Sequence, residues 1–368
     1  MAKAEFDPAE RIARLRLIRT PRIGPVAFQQ LIARFGNAGA ALAALPDLAR
    51  RGGGVVPAVL PVSAAEAELS RIAALGSVAL FRGEAGYPAL LDQIDGAPPM
   101  LTVRGDLDLL RRRAVAVVGA RNASGAAVRF TRMLAHNLAE RGWLVVSGLA
   151  RGIDTAAHVG SIERGTAAVI AGGIDIVYPP ENANLQKDVG ERGLLVAEMP
   201  PGVEPRARHF PHRNRIIAGM CTGTVVVEAA PKSGSLITAR LAGEFGREVM
   251  AVPGSPLDPR AQGCNLLIRD GATLVQSAAD IEEALSPIGG VCARSSAAFD
   301  AAEAALPSDP DDIARSALIA LLGPVAVPVD ELIRQTGIDT SIVQSVLLEL
   351  ELAGRLQRHV GGRVSLDR

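Results

Sequence analysis

Residues 206 to 215, RARHFPHRNR, set Arg206, Arg208, Arg213 and Arg215 beside His209 and His212, with Phe210 among them. Fixed cations interleaved with an aromatic ring suit a single nucleic-acid strand, whose phosphates meet the charge while a base stacks on the ring. A solvated arginine face is the plainer alternative. Other stretches favour the first reading. In EAAPKSGSLITAR, Lys232 precedes Ser233, Gly234 and Ser235 at a helix start. That brings amide groups, two hydroxyls and an ammonium together as a cradle for a phosphate. A serine N-cap would explain the serines but not the lysine, which is scarce here: only Lys3, Lys187 and Lys232 occur.

Two glycine turns add to this set. In VVGARNASG, Gly119 ends an apolar run, Arg121 follows and Ser124 opens a helix. Glycine permits close backbone approach, the helix start offers N–H groups to an anion, and an arginine forks onto phosphate oxygens. In SGLARGIDTAAHVGS, Ser147 and Gly148 close a strand, and Asp154 and His158 stand four apart. That pair is either acid/base or metal-ligating chemistry, or an N-cap with a packed histidine. In AGGIDIVYPPEN, Gly172 and Gly173 open the backbone, and Tyr178 is either a stacking ring or part of a rigid turn.

These residues need a frame that brings distant segments to one place. Short β-rich runs at 78–81, 114–119, 144–148, 167–172, 194–198, 224–229, 248–254 and 272–277 alternate with helical stretches. Several are continuously apolar, as strands are when helices cover both sheet faces. The pattern predicts an α/β fold with a doubly wound, mostly parallel sheet, which binds ligands at the carboxyl ends of its strands. Before it, 7 to 45 reads as helices around a Gly-Pro turn, either a helix-hairpin-helix that holds a phosphate or a small packing domain. After it, three helices and a Gly-Gly hairpin predict a winged helix. Its second helix-turn-helix segment, DTSIVQSVLLELELA, has no Lys or Arg and carries Asp339, Glu349 and Glu351. Such a helix repels phosphates, so it is expected to bind protein or pack internally rather than enter a duplex groove.

Composition narrows the field. A chain of 368 residues implies two or three domains, and Lys+Arg balances Asp+Glu at 39 each. Any affinity for nucleic acid must therefore come from local clustering. Cys221, Cys264 and Cys292 form no CxxC pair, so neither a zinc site nor a disulfide framework is indicated. GxGxxG and P-loop patterns are missing, which argues against a nucleotide cofactor. No signal-peptide core and no run of about 20 apolar residues is seen, so no membrane span and a cytoplasmic location are expected.

Taken together, SGLARGIDTAAH, YPPEN, FPHRNRIIAG, EAAPKSGSLITA and GCNLLIRDGA, in this order, resemble the DprA/Smf family of DNA-processing proteins. The resemblance implies a helical domain of SAM or helix-hairpin-helix type at 1–75, an extended Rossmann-like DNA-binding domain at 76–287, a linker at 288–311 and a winged helix at 312–368. It implies a mediator without a catalytic step. Such a protein binds incoming single-stranded DNA, forms a homodimer through the Rossmann-like domain and loads RecA during natural transformation. Arg121 matches a DNA-contacting arginine of the family, and Phe210, Arg213, Asn214 and Lys232 fall in motifs of the same pocket. The competing reading is a nucleotide-binding Rossmann-like enzyme of the phosphoribohydrolase type. Its PGGxGTxxE motif, laid over Gly234-Ser235, puts Thr238 where a catalytic glutamate should stand.

Overall fold

The computed structural model describes residues 5–286, 310–359 and 361–366. The expected linker lies outside the described residues except for Pro310 and Asp311, and Cys292 lies outside with it.

The chain opens with helices α1 (Pro8–Arg19), α2 (Pro25–Phe35), α3 (Ala38–Arg51) and α4 (Val62–Ala74). Next come β1 (Val78–Phe81), α5 (Ala89–Asp92), β2 (Met100–Gly105), β3 (Ala114–Gly119), α6 (Gly125–Glu140), β4 (Leu144–Ser147) and α7 (Ile153–Ser161). The alternation continues through β5 (Thr166–Ile170), α8 (Ala183–Arg192), β6 (Leu194–Ala197), α9 (His209–Met220), β7 (Gly223–Val227) and α10 (Gly234–Glu244). It closes with β8 (Glu248–Ala251), α11 (Gln262–Arg269), β9 (Thr273–Leu274) and α12 (Ala278–Ala284). The last segment holds α13 (Asp312–Leu321), β10 (Val327–Pro328), α14 (Val329–Thr336), α15 (Thr340–Leu352), β11 (Leu356–His359) and β12 (Arg363–Leu366). These elements form two compact units, one from Ala67 onward through the sheet, the other joining Phe6–Glu66 to the C-terminal segment.

In the first unit the strands lie in the order β1-β2-β6-β5-β4-β3-β7-β8-β9. From β6 to β9 the pairings are parallel, while β2 pairs antiparallel with β1 and β6. Side chains alternate across the sheet. Val115, Val117, Val145, Val225 and Val227 pack with α6, α7 and α12, whereas Ala116, Val118, Val146 and Val226 pack with α9, α10 and α11. This is the doubly wound sheet expected from the apolar runs. The strand that the runs miss is β2, MLTVRG, which follows a Pro-Pro pair and carries Arg104. Its antiparallel pairing on both sides, not hydrophobic continuity, makes it a strand.

In the second unit the N-terminal helices and the winged helix share a core. Leu17, Phe28, Leu31, Leu45 and Leu48 pack with Leu348 and Leu352 of α15. The backbones also meet closely: a Cβ on Gly52 would lie 2.1 Å from the Glu349 carbonyl oxygen, and one on Gly54 2.1 Å from that of Ala353. Most of α15 from Val343 to Leu352 is buried, and the Glu349 carboxylate accepts from Arg315 at 3.0 Å. The acidic second helix is therefore packed internally, as its charge implied.

Candidate nucleic-acid interface

The sheet has its topological switch beside β3. From β3 the chain winds to β4, β5 and β6 on one side and then to β7, β8 and β9 on the other. Ligands bind where the strand order reverses, at the carboxyl ends. A groove of about 830 Å³ lies there, lined by Gly119, Arg121 and Asn122 after β3, by Lys232 to Ser235 after β7, and by Arg260 after β8. Helix α9 contributes Phe210, Arg213 and Asn214. A smaller cavity of about 230 Å³ shares Arg121, Ala150, Phe210 and Arg213 with the groove. It is completed by Gly148 to Arg151 after β4 and by Tyr178 to Glu181 after β5.

The floor of the site is a polar network under the β4–α7 turn. Arg213 is buried, and its Nη1 donates to the carbonyls of Gly148 and of Val169, the latter at 2.7 Å. Its Nε donates to Asn214 Oδ1 at 3.1 Å, and Asn214 Nδ2 reaches the Gly234 carbonyl at 3.3 Å. Glycine at 148 leaves room for this guanidinium, since a Cβ would sit 2.0 Å from Arg213 Nη1 and displace it. Burial lowers the Arg213 pKa to about 10, against the pull of Asp154, so the guanidinium stays charged at neutral pH. Burial also raises the Asp154 pKa, opposed by Arg213 and by the N–H groups of Ala150 and Gly148. Those two amides donate to Asp154 Oδ2 at 3.3 and 3.2 Å. Asp154 thus ties down the preceding loop and does not cap α7, whose N-cap is Gly152.

His158 is scaffold as well. Its Nε2 accepts from the Leu149 N–H at 3.3 Å, which leaves Nδ1 to donate to Thr166 Oγ1 at 2.7 Å. Burial, then Arg213, lowers its pKa to about 3, so the folded protein holds it neutral. Between pH 6.5 and 3 the unfolded chain takes up a proton that the folded chain refuses. The stabilisation is therefore full above about pH 6.5 and is lost as pH falls toward 3. A His158→Gln variant should show a shallower decline of unfolding free energy between pH 7 and 5, by up to about 1.4 kcal/mol per pH unit. Denaturant titrations of the two proteins across that range measure the difference. No His, Cys, Asp and Glu group suited to a metal ion is found among the described residues.

Above this floor stand groups open to a ligand. Arg121 is exposed and lies over the Phe210 ring, 5.5 Å from its centroid. Phe210 meets Tyr178 at 5.6 Å with the rings tilted by 54°. Lys232 is exposed at a backbone φ of 70°, a conformation that non-glycine residues adopt only under constraint. It leads into α10, where Ser233 Oγ bonds Ser235 Oγ at 2.8 Å. An added Cβ on Gly234 would meet nothing within 4 Å, so the fold itself does not demand glycine there.

The comparisons agree with this geometry. The family model described as DNA recombination-mediator protein A matches residues 78–286. The DprA-like N-terminal HHH domain matches 8–70, and the DprA winged helix domain matches 302–362. This chain belongs to the DprA/Smf family. DNA processing protein DprA of Streptococcus pneumoniae is 47% identical over 197 residues, 53% of this chain and 70% of that protein. Protein Smf of Escherichia coli is 39% identical over 289 residues, 77% of this chain and 75% of that protein. The X-ray structure of the S. pneumoniae DprA covers 74% of this chain and 96% of its own, with a TM-score of 0.63 at 33% identity. A structure describing the single-stranded DNA binding mode of DNA processing protein A from Helicobacter pylori covers 57% of this chain and 95% of its own, at 26% identity and a TM-score of 0.52.

Within the family frame, the expected residues divide. The structure brings Gly119, Arg121, Gly148, Phe210, Arg213, Asn214, Lys232, Ser233, Gly234 and Ser235 to the two adjoining cavities. Five others lie elsewhere. Ser147 is fully buried, its hydroxyl donated to the Val117 carbonyl at 2.7 Å. Ser124 caps α6, and its N–H donates to Glu228 at 2.8 Å, so that helix start receives a carboxylate of the chain itself. Gly172 and Gly173 are packed against the 200–205 loop, where Cβ atoms would lie 3.0 Å from the Val203 and 2.4 Å from the Pro200 carbonyl oxygens. Arg215 is spent in the fold, donating to the Gly96 carbonyl at 2.6 Å and pairing with Glu198. The sequence reasoning missed Arg260, which Asp258 holds at 2.8 Å on the groove wall. Its signal was its place in the loop that joins the carboxyl end of β8 to α11.

Proposed function

We propose that this chain binds single-stranded DNA along the groove at the β3/β7 switch and delivers it to RecA. The observation that carries the reading is the grouping of Arg121, Lys232 and Arg260 with the Tyr178–Phe210 pair on one surface. Cations for the backbone beside rings for the bases are the equipment of sequence-tolerant strand binding. The family match to a recombination mediator and the H. pylori neighbour support it. The protein acts in the cytoplasm as a homodimer through its Rossmann-like unit, without a catalytic step. Among the described residues no helix is long and apolar enough to cross a membrane.

Lys232→Ala is expected to weaken oligo(dT) binding about tenfold, the scale of one lost charge-assisted bond. Lys187→Ala, on an exposed face of α8 beside Glu191, should change it less than twofold. Fluorescence anisotropy reads both. In a coupled assay the wild-type protein should speed the onset of DNA-dependent ATP hydrolysis by RecA, and Lys232→Ala should not. For the nucleotide-enzyme alternative, Thr238 lines the groove where the carboxylate base would be needed. Nucleoside monophosphates should release no base when incubated with the protein.

A further inference from the structure

Exposed arginines in the sheet unit divide by whether a carboxylate answers them. At the edge of the sheet opposite the groove, where α6, α7 and α8 end, Arg141 pairs with Glu282 at 2.6 Å, Arg164 with Glu140 at 2.9 Å and Arg192 with Glu163. The part of α6 nearer the groove is different. Its sequence, GAAVRFTRMLAHNLAE, holds Arg129 and Arg132 but no acid before Glu140, which already accepts from Arg164. Among the described residues neither arginine has an acidic partner.

Arg129, Arg132, Met133 and His136 are all exposed, and their i, i+3, i+4, i+7 spacing puts them on one helix face about 10 Å long. That face begins beside the groove. Asn122 lines the groove, Ser124 caps α6, and Arg129 Nη1 turns back to the first turn, 3.6 Å from where a Cβ on Gly125 would stand. A guanidinium there meets the positive end of the helix dipole, an arrangement that a bound anion relieves. The Ser124 N–H is already given to Glu228, so the arginines and not the helix start are left to make the contact. At i, i+3 their Cβ atoms are about 5–6 Å apart, close enough for both to clamp one phosphate. Met133 between them offers an adaptable apolar surface to a base. An acidic protein segment would match the charge too, but continuity with the groove favours the strand.

We infer that single-stranded DNA leaving the groove past Arg121 runs onto the exposed face of α6, where Arg129 and Arg132 together hold one further phosphate. This rests on the single-strand reading above, which assigns the groove itself to the strand.

The test follows d(T)4 and d(T)20 binding to the full-length protein by anisotropy over a salt series, with an Arg129→Ala/Arg132→Ala double variant. On d(T)20 the variant should lose about tenfold in affinity, and its slope of log affinity against log salt should shrink by about 0.7, one neutralised phosphate. On d(T)4, short enough to bind in the groove alone, it should stay within twofold of the wild type, whereas Arg121→Ala weakens both. Arg129→Lys/Arg132→Lys should keep the d(T)20 slope, because the slope counts charge and not side-chain shape. A d(T)20 slope that the alanine pair leaves unchanged while Arg121→Ala reduces it would overturn the α6 contact and leave the groove standing. Unchanged DNA binding with a slower onset of RecA ATP hydrolysis would overturn it too, and would give this face to an acidic protein segment. Equal losses on both lengths would overturn the exit path. No binding of either oligonucleotide would overturn both readings.

Discussion

Arg213→Leu is expected to lower folding stability by about 3–5 kcal/mol, the range found when one partner of a buried charge network is removed. The residue sits in an arginine-rich stretch of the chain, yet its guanidinium is turned inward. Two carbonyls, from the turn after β4 and from β5, accept from Nη1. Without the guanidinium both are buried beside leucine, and Asp154 loses the cation that opposes its desolvation. Lysine should not rescue the loss, because one ammonium cannot reproduce a planar fork. Urea titration should show a lower midpoint with an unchanged slope. Arg121→Ala, on the exposed side of the same site, should stay within about 0.5 kcal/mol of the wild type. If Arg213→Leu unfolded at the wild-type midpoint, the buried structural role of this guanidinium would be wrong.

Leu348→Asp should cost more than about 4 kcal/mol. Removing a buried leucine costs about 2–5 kcal/mol, and the carboxylate adds a desolvation penalty that nothing nearby repays. Leu348 is 2% exposed in the core that α15 shares with α1, α2 and α3. The expected signature is joint. Residues of the N-terminal helices and of the winged helix should become protease-sensitive together, because they lose the same core. Gly52→Val probes the contact independently, since its Cβ would strike the Glu349 backbone at 2.1 Å. Protection of the N-terminal helices that survives either change would show that the two segments fold separately.

What the sequence disclosed and what it hid follow from the same physics. Continuous apolar runs reveal strands covered on both faces, so β3, β4, β5 and β7 were legible, and with them the carboxyl-end turns that carry Arg121 and Lys232. The edge-side strand β2 was not, because its register depends on antiparallel partners distant in sequence. Charge is visible in a sequence, but burial is not. Arg213 and Arg215 look like open cations in HRNR, yet both donate to backbone carbonyls of the fold, while Arg121, alone after its glycine, is exposed. Ser124 promised an open helix start, and only the fold could place Glu228 against it. Asp154 and His158, four apart on a helix, keep their ambiguity in any one-dimensional reading. Their partners, the amides of residues 148 to 150 and Thr166, are what assign them to the scaffold.

The most direct measurement is a titration of fluorescent oligo(dT) with wild-type protein and Arg121→Ala over a salt series. Each neutralised phosphate contributes about −0.7 to the slope of log affinity against log salt, so three or four contacts give roughly −2 to −3. The expected result is a wild-type slope in that range, reduced by about 0.7 in Arg121→Ala, with affinity falling at every salt concentration. An absence of binding, or binding whose strength and slope Arg121→Ala leaves untouched, would contradict the assignment of the groove to single-stranded DNA.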